Sequence, residues 1–163
     1  MIETIYFAKV KPNAIIPTRR DEDGCYDLYA CFTEDNIVIQ PHTVKLIPTG
    51  IASAFSPKYR IGFRERGTNT KINAIVMAGQ IDSGFRGEYF VALQNNNDIP
   101  LEITKSITDI EKTPDYIRFP YSKAICQFAI EEVPQVNIEE ITYDKLKQIS
   151  SERGMGCLGS SNK

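Results

Sequence analysis

The stretch that decides the fold spans residues 43–63 and reads TVKLIPTGIASAFSPKYRIGF. It contains three short apolar runs separated by Pro-Thr-Gly and Ser-Pro, and these runs are Thr43–Ile47, Ile51–Phe55 and Tyr59–Phe63. Each run is shorter than an ordinary globular helix and is bounded by turn-forming residues, so each predicts a β-strand. The stretch therefore indicates an all-β domain.

The same pattern continues on both sides of this stretch. Further strands are predicted at Thr4–Val10, Asn36–Gln40, Ile75–Ala78, Glu88–Gln94, Leu101–Thr104 and Ala124–Val133. Many short, evenly spaced strands favour a sandwich or a barrel, and here a jelly roll. A short helix is expected between Asn137 and Ser150, where isoleucine and leucine recur at three- to five-residue spacing.

The domain organisation follows from composition along the chain. Residues 1–150 are expected to form a single β domain, and residues 151–163 a flexible, glycine- and serine-rich C-terminal arm. The polar segment 95–121 is interpreted as a hairpin excursion between two core strands, and it offers a surface for a protein partner.

Composition excludes several functional classes. The 163 residues are 42% hydrophobic and 25% charged, as in a globular protein, and 21 acidic against 19 basic side chains give a net charge of −2. This balance argues against direct nucleic-acid binding, and no apolar run predicts a membrane span. The four cysteines form no metal-ligand pattern and indicate reduced thiols in the cytoplasm, with a Cys25–Cys31 disulfide as the alternative.

The single histidine bears on the choice of a catalytic base. His42 lies in Gln40-Pro41-His42-Thr43, which is typical of a turn, so it is interpreted as a solvated loop residue and not as a general base. An enzyme built on this chain would therefore use a carboxylate as its base.

Three polar patches could carry chemistry. The segment 79–87, GQIDSGFRG, is typical of a hairpin, and its tip would also hold a carboxylate, an aromatic ring and free backbone amides within one small volume. The segment 64–71, RERGTNTK, is either a charged, solvated loop or a phosphate cradle. The segment 153–161, RGMGCLGSS, is either a disordered tail or a second source of phosphate ligands.

Together and in this order, the motifs of the chain resemble those of the trimeric dUTPase family. The first motif, Gly24-Cys25-Tyr26-Asp27-Leu28-Tyr29-Ala30, is similar to AGYDLxA, and residues 79–87 are similar to the third motif, GxIDxxYxG. The other matches are the second motif at residues 64–68, the fourth at residues 124–128 and the fifth at residues 153–161. The resemblance therefore covers residues 24–161.

The resemblance implies a function and a set of site residues. It implies hydrolysis of dUTP to dUMP and pyrophosphate, which supplies dUMP and keeps uracil out of DNA, with Asp82 as the base that activates water. It implies that substrate is bound by Arg64, Arg66, Gly67, Thr68, Gln80, Ile81, Phe85, Gln127, Arg153, Leu158, Gly159, Ser160 and Ser161. It also implies a jelly-roll-like, distorted β-barrel, Mg²⁺ carried on the triphosphate, Asp27 supporting the water shell of the metal, and a homotrimer with shared active sites.

The sequence departs from the family pattern in four motifs, and in the first the departures are Asp23 and Cys25. The second motif is usually Arg-Ser-Gly, but here Arg64-Glu65-Arg66-Gly67-Thr68 leaves two arginines as candidates for one role. The fifth motif usually offers a phenylalanine over the uracil, where Leu158 can exclude water but cannot stack, and Phe85 replaces the tyrosine of the third motif. The alternatives to a dUTPase are a dCTP deaminase and a non-catalytic regulatory protein on the same scaffold.

Overall fold

The computed structural model describes residues 3–156, which form thirteen strands and two short helices. The strands are β1 (Tyr6–Lys9), β2 (Tyr26–Leu28), β3 (Asn36–Ile39), β4 (Val44–Pro48), β5 (Ile51–Ala54), β6 (Tyr59–Arg64), β7 (Ala74–Met77), β8 (Gln80–Ile81), β9 (Phe90–Asn95), β10 (Leu101–Thr104), β11 (Glu111–Lys112), β12 (Ile117–Pro120) and β13 (Cys126–Glu132). The helices are α1 (Gly67–Ile72) and α2 (Tyr143–Gln148). The expected all-β fold is confirmed.

Hydrogen bonds join the described strands into four sheets. Their strand orders are β1-β5, β11-β12-β10-β3, β2-β13-β6-β8 and β4-β9-β7. Neighbouring strands are antiparallel except β10 and β12, which run parallel. Within residues 3–156 these sheets remain open and do not close into a barrel.

The stretch 43–63 distributes its three strands over three different sheets. Strand β4 pairs with β9, β5 with β1, and β6 with both β13 and β8. The turn between β4 and β5 requires glycine, because Gly50 has φ +67° and a Cβ there would lie 2.7 Å from the Cβ of Ala14. This stretch therefore connects three of the four sheets formed by the described residues.

The buried side chains form one hydrophobic core. Alternate residues of β6 and β13 point inward, among them Ile61, Phe63 and Phe128, and all three are buried. Tyr89 is fully buried among them. The other face of these two strands is left to solvent and polar groups, which prepares the position of the candidate site.

The segment 95–121 belongs to this core. It supplies β10 and β12, whose buried residues include Leu101, Ile103 and Phe119. The interpretation of the whole segment as a hairpin excursion between two core strands is therefore wrong, because β10 and β12 pair in parallel, β10 also pairs with β3, and both strands carry core residues.

Residue contacts divide the chain into two units, one ending at Val133 and one beginning at Pro134. In the second unit, α2 begins after Thr142, whose hydroxyl accepts the Lys145 N–H at 3.3 Å, and none of the helix residues is buried. The short helix expected between Asn137 and Ser150 is confirmed. Neither α1 nor α2, the helices of residues 3–156, is long or apolar enough to cross a membrane.

Candidate functional site

The polar face of the sheet β2-β13-β6-β8 carries four of the candidate residues, namely Asp27, Arg64, Gln127 and Gln80. Asp27, Gln127 and Arg64 are cross-strand neighbours in one row of this sheet. On β6 the same face returns at Gly62 and Arg60, because side chains alternate along a strand. Gln80 of β8 lies opposite Gly62 and shares this face. The opposite face carries the buried core residues. The sequence thus places its first, second, third and fourth motifs on one surface.

Arg66 and Asp27 form the centre of one end of this face. The Arg66 Nε lies 2.8 Å from Asp27 Oδ1, and its Nη2 donates to Oδ2 at 3.1 Å, so the guanidinium binds both carboxylate oxygens. The pair lines a cavity of about 730 Å³ together with Gln127 and the loop 18–25. This end therefore presents a cation that is already oriented by a carboxylate.

Arg64 has a different position from Arg66. Its Nη2 donates to Glu131 Oε1, while Arg60 Nε donates to Glu131 Oε2 at 2.8 Å. The Glu131 carboxylate lies directly over Gly62, where a Cβ would be 2.9 Å from Oε1. Of the two arginines that the sequence left as candidates, Arg66 lines the 730 Å³ cavity, and Arg64 is bound to Glu131 beside it.

Gly67 and Thr68 begin α1, a helix that the sequence did not predict. The side chain of Asn69 holds this helix in place, because its Oδ1 accepts the Arg66 N–H at 2.9 Å and its Nδ2 donates to the Ile125 carbonyl at 3.3 Å. Thr68 Oγ1 is buried and has no hydrogen-bond partner within residues 3–156.

Asp82 lies at the other end of the polar face. It follows β8 at the start of a tight turn, in which the Phe85 N–H donates to the Asp82 carbonyl at 3.1 Å. Its side chain is exposed and makes no hydrogen bond or ion pair with the rest of residues 3–156. It lines a cavity of about 260 Å³ with Arg60, Gln80 and Ser83.

The chain crosses from the sheet of β7 to the sheet of β8 just before Asp82. Ala78 adopts φ +49° at the crossing, and Gly79 packs so closely that a Cβ would lie 2.6 Å from the Cβ of Phe63. The Phe63 N–H donates to the Gly79 carbonyl at 2.7 Å. Ile81 pairs with Ile61 on the core side, so it can offer a ligand only its backbone.

Phe85 and Tyr89 form an aromatic platform next to Asp82. Their ring centroids are 6.4 Å apart with planes tilted by 17°, and Phe85 is 44% exposed. Gly87 permits this arrangement, since a Cβ there would lie 2.6 Å from Phe85 Cζ. Tyr89 is buried with its hydroxyl on Ser53, and burial raises the pKa of its phenol, which the Ser53 hydrogen bond partly offsets.

Within residues 3–156, the Arg66 end and the Asp82 end of the polar face lie apart. In register, Arg64 lies opposite Gln127, whereas Asp82 follows the residue that pairs with Ile61. Asp82 thus lies beside Arg60, four residues from Arg64, or about 13 Å along an extended strand. The cavities at the two ends share no lining residue.

Metal ligands are sparse in the described part of the chain. Residues 3–156 contain no group of three or more His, Cys, Asp or Glu side chains that could hold a metal ion. Both oxygens of Asp27, the residue that the resemblance assigns to the water shell of the metal, are bound to Arg66. The donor set fits Mg²⁺ only if phosphate oxygens and water supply most of its ligands.

The remaining candidates belong to the C-terminal part of the chain. In the second unit, Arg153 Nε donates to the Gly156 carbonyl at 2.9 Å. Leu158, Gly159, Ser160 and Ser161 lie outside the described residues. Among the described cysteines, Cys25, Cys31 and Cys126 are free thiols, and burial raises the pKa of Cys126 far above its ordinary value, so that thiol stays protonated.

Sequence reasoning missed Arg60 and Glu131 on the polar face. Both residues occur at even spacing from candidates that were found, Arg60 four residues before Arg64 and Glu131 four residues after Gln127. The strand alternation that identifies a common face could have found them once the strand boundaries were predicted. The ion pairs of Glu131 with Arg60 and Arg64 could be identified only from the tertiary structure.

Comparisons with known proteins complete these observations. No family model matches the chain. A curated deoxyuridine 5'-triphosphate nucleotidohydrolase from Picosynechococcus sp. is 31% identical over 157 residues, which cover 94% of this chain and 94% of the relative.

Two solved structures share the fold. The dUTPase of Staphylococcus bacteriophage 80alpha, a mutant with dUpNHpp, has a TM-score of 0.76 at 21% identity and covers 97% of this chain and 98% of that chain. A mutant dUTPase from phage phi11 of S. aureus, described with a structural Mg(II) ion, has a TM-score of 0.67 at 18% identity. The match covers 85% of this chain and 96% of that chain. At these identities the structures show the jelly-roll-type fold alone.

Proposed function

Because this chain belongs to the dUTPase family, we propose that it hydrolyses dUTP to dUMP and pyrophosphate. The observation that supports this most strongly is the placement of Asp27, Arg64, Gln127 and Gln80 on one polar face, with Asp82 next to it. A triphosphate needs a cationic end and a base, and the two cavities of this face supply one of each.

Asp82 is proposed as the catalytic residue. Its carboxylate is exposed and free of partners among residues 3–156, so it can hold the deoxyribose 3′-hydroxyl and accept a proton from water. The water oxygen then bonds to the α-phosphorus as the bond to the bridging oxygen breaks, and pyrophosphate leaves with the electron pair. In phosphoryl transfer of this kind, positioning and charge neutralisation provide most of the acceleration.

The phosphates are proposed to bind at the cationic end. Arg66 would exchange part of its bond to Asp27 for phosphate oxygens, and the Gln127 amide lies at the same cavity. Gly67 and Thr68 directly follow Arg66, and Arg64 lies opposite Gln127 in the sheet, so all three are proposed to assist at this end. A ligand or a second chain could satisfy the buried Thr68 hydroxyl. Arg153, Gly159, Ser160 and Ser161 are proposed to reach the phosphates from the arm 151–163 of another subunit.

The base is proposed to bind along the segment 76–81, which leads from β7 into β8. Backbone groups there, including those of Gln80 and Ile81, would pair with uracil and leave no room for the methyl group of thymine. Phe85, held on Tyr89, would pack against the sugar and exclude a ribose 2′-hydroxyl. Leu158 is proposed to cover the uracil by excluding water and not by stacking.

Mg²⁺ is proposed to enter on the triphosphate. When bound there, the ion would neutralise the developing negative charge. The protein's own contribution is Asp27, whose carboxylate could accept a hydrogen bond from a metal-bound water if Arg66 turns toward the phosphates.

A homotrimer is proposed because a single chain keeps the two ends of the site apart. The outer face of the sheet β4-β9-β7 also exposes large apolar side chains that a second copy would cover, namely Val44, Leu46, Ile75, Met77 and Phe90. A ring of chains would bring the Asp82 end of one subunit to the Arg66 end of the next. The three described free cysteines support a cytoplasmic location.

The experiment that tests this function measures pyrophosphate release from dUTP, dCTP, dTTP and UTP, with Mg²⁺ and with a chelator in its place. We expect rapid release from dUTP alone, strongly reduced without the metal. Ammonia release from dCTP would replace the proposal with a deaminase. The absence of turnover with all four nucleotides would instead favour a regulatory protein on this scaffold.

A further inference from the structure

Glu65 connects three segments that the proposed function uses separately. Its Oε1 accepts the backbone N–H of Val76 at 3.0 Å, and its own carbonyl accepts the Gln127 Nε2 at 2.8 Å. It directly precedes Arg66, which binds Asp27. Glu65 thus joins the second motif to the fourth motif and to the segment 76–81, which is proposed to bind the base.

The bond to Val76 closes an open sheet edge. Strand β7 is the edge of the sheet β4-β9-β7, and its inner side pairs with β9, where Val76 lies opposite Leu93. The N–H that reaches Glu65 therefore belongs to the outer side, where no strand lies beside β7 in the described chain. A carboxylate side chain there takes the place of a neighbouring strand.

Within residues 3–156, this bond is one of three sets of hydrogen bonds between the segment 76–81 and β6 with its extension. The second is the Phe63 N–H on the Gly79 carbonyl at 2.7 Å, and the third is the short pairing of β8 with β6. The last two attachments hold the β8 side of the crossing. In the described chain, α1 and Asn73 lead from Arg66 into β7, and the Glu65 side chain adds a hydrogen bond from the same segment to the β7 side.

We propose that Glu65 is a positioning residue that fixes the segment 76–81 in the position needed to bind uracil. It does so by bonding this segment to the Gln127 and Arg66 end of its own chain. The inference rests on the proposed function and deepens it.

The expected consequence concerns discrimination between bases. A pocket that rejects one methyl group does so through contacts at van der Waals distance, and a difference of one methyl or methylene is worth roughly 10- to 200-fold. If the segment 76–81 moves by a few tenths of an ångström, the pocket loses part of this discrimination against the methyl group. Loss of Glu65 should therefore reduce the preference for dUTP over dTTP more than it reduces turnover of dUTP.

The test compares Glu65→Ala with Glu65→Gln, because glutamine keeps an acceptor oxygen at the same reach and removes only the charge. Two quantities are measured: hydrogen exchange of the Val76 amide by NMR, and the ratio of kcat/KM for dUTP to that for dTTP. Glu34→Ala serves as the matched control, since it removes one exposed acidic side chain from the loop before β3.

We expect Glu65→Ala to speed Val76 exchange at least about tenfold and to lower the dUTP/dTTP ratio about tenfold. Glu65→Gln and Glu34→Ala should stay within about threefold of wild type in both quantities. An unchanged ratio in Glu65→Ala would overturn the role in positioning, and so would equal losses in the alanine and glutamine variants, which would indicate a charge effect. An absence of dUTP turnover in the wild-type protein would overturn the proposed function. Hydrogen exchange of the Val76 amide would still decide whether Glu65 holds the segment 76–81.

Discussion

The two ends of the polar face differ in how far each is completed by its own chain. At the Arg66 end, the guanidinium and Asp27 bind each other through two contacts, and their side chains are only 27% and 30% exposed. At the Asp82 end, the carboxylate is exposed and has no partner within residues 3–156. One end is a preformed ion pair, and the other is an open carboxylate.

The difference follows from what each group must do. A flexible arginine loses considerable side-chain entropy when it is ordered, and a carboxylate partner completes that ordering before a phosphate arrives. A general base cannot be held in the same way, because a permanent cationic partner would compete with the proton it has to accept. We infer that Asp82 is left open so that substrate and water can become its partners.

The largest expected effect comes from Asp82→Asn. The amide keeps the shape of the side chain but cannot accept the proton of the attacking water, so kcat for dUTP should fall by about 10³-fold, within the range for loss of a general base. Pyrophosphate release measures the rate. Because the side chain is exposed, the thermal midpoint should stay within about 2 °C of wild type.

Asp115→Asn is the control for this substitution, since Asp115 is also an exposed aspartate in a tight turn, remote in sequence from every motif. It should retain full turnover. If Asp82→Asn kept a tenth or more of the wild-type kcat, the assignment of Asp82 as base would be wrong.

The next effect separates the two arginines. Arg66→Ala leaves the partly buried Asp27 unpaired, so it should lower kcat/KM for dUTP about 100-fold and the free energy of unfolding by about 1–3 kcal/mol. Arg64→Ala removes an exposed ion pair, and Arg60 still binds Glu131, so the stability loss should be below about 1 kcal/mol and the loss of activity smaller. Urea denaturation and steady-state kinetics measure both quantities, and equal losses in the two variants would remove the distinction drawn here.

The sequence could predict the strands better than the exact positions of the site residues. Leu101–Thr104 was predicted at its observed bounds because apolar and β-branched residues dominate it. Helix α1 was missed because Gly67-Thr68-Asn69-Thr70 has low helix propensity, and the helix depends on Asn69 bonding to the distant Ile125 carbonyl. The choice between Arg64 and Arg66 was equally out of reach, since it depends on where β6 ends and α1 begins.

A mixing experiment tests whether the two ends of one site come from different chains. Asp82→Asn and Arg66→Ala are co-expressed with different tags, and mixed oligomers are purified. If an Asp82 end always meets the Arg66 end of a neighbour, each purified mixed trimer has one junction between an unsubstituted Asp82 end and an unsubstituted Arg66 end. One site in three is then intact, and the mixed trimers should show about a third of wild-type activity. If both ends belong to one chain, every site carries a substitution and the mixture should be no more active than its components.

The smallest effect concerns the floor of the open end, where Tyr89 lies beneath Phe85. Burial raises the pKa of Tyr89 above the value near 10 of an unfolded chain, so its contribution to stability is complete below about pH 10 and is lost as pH rises through the raised value. Tyr89→Phe should lower stability by about 1 kcal/mol at neutral pH, because Ser53 loses its partner, yet flatten the decline of Tm between pH 9 and 11. Calorimetry across this range checks the prediction, with the exposed Tyr143→Phe as control. Parallel curves for wild type and Tyr89→Phe would show that the fold does not raise the pKa of the Tyr89 phenol.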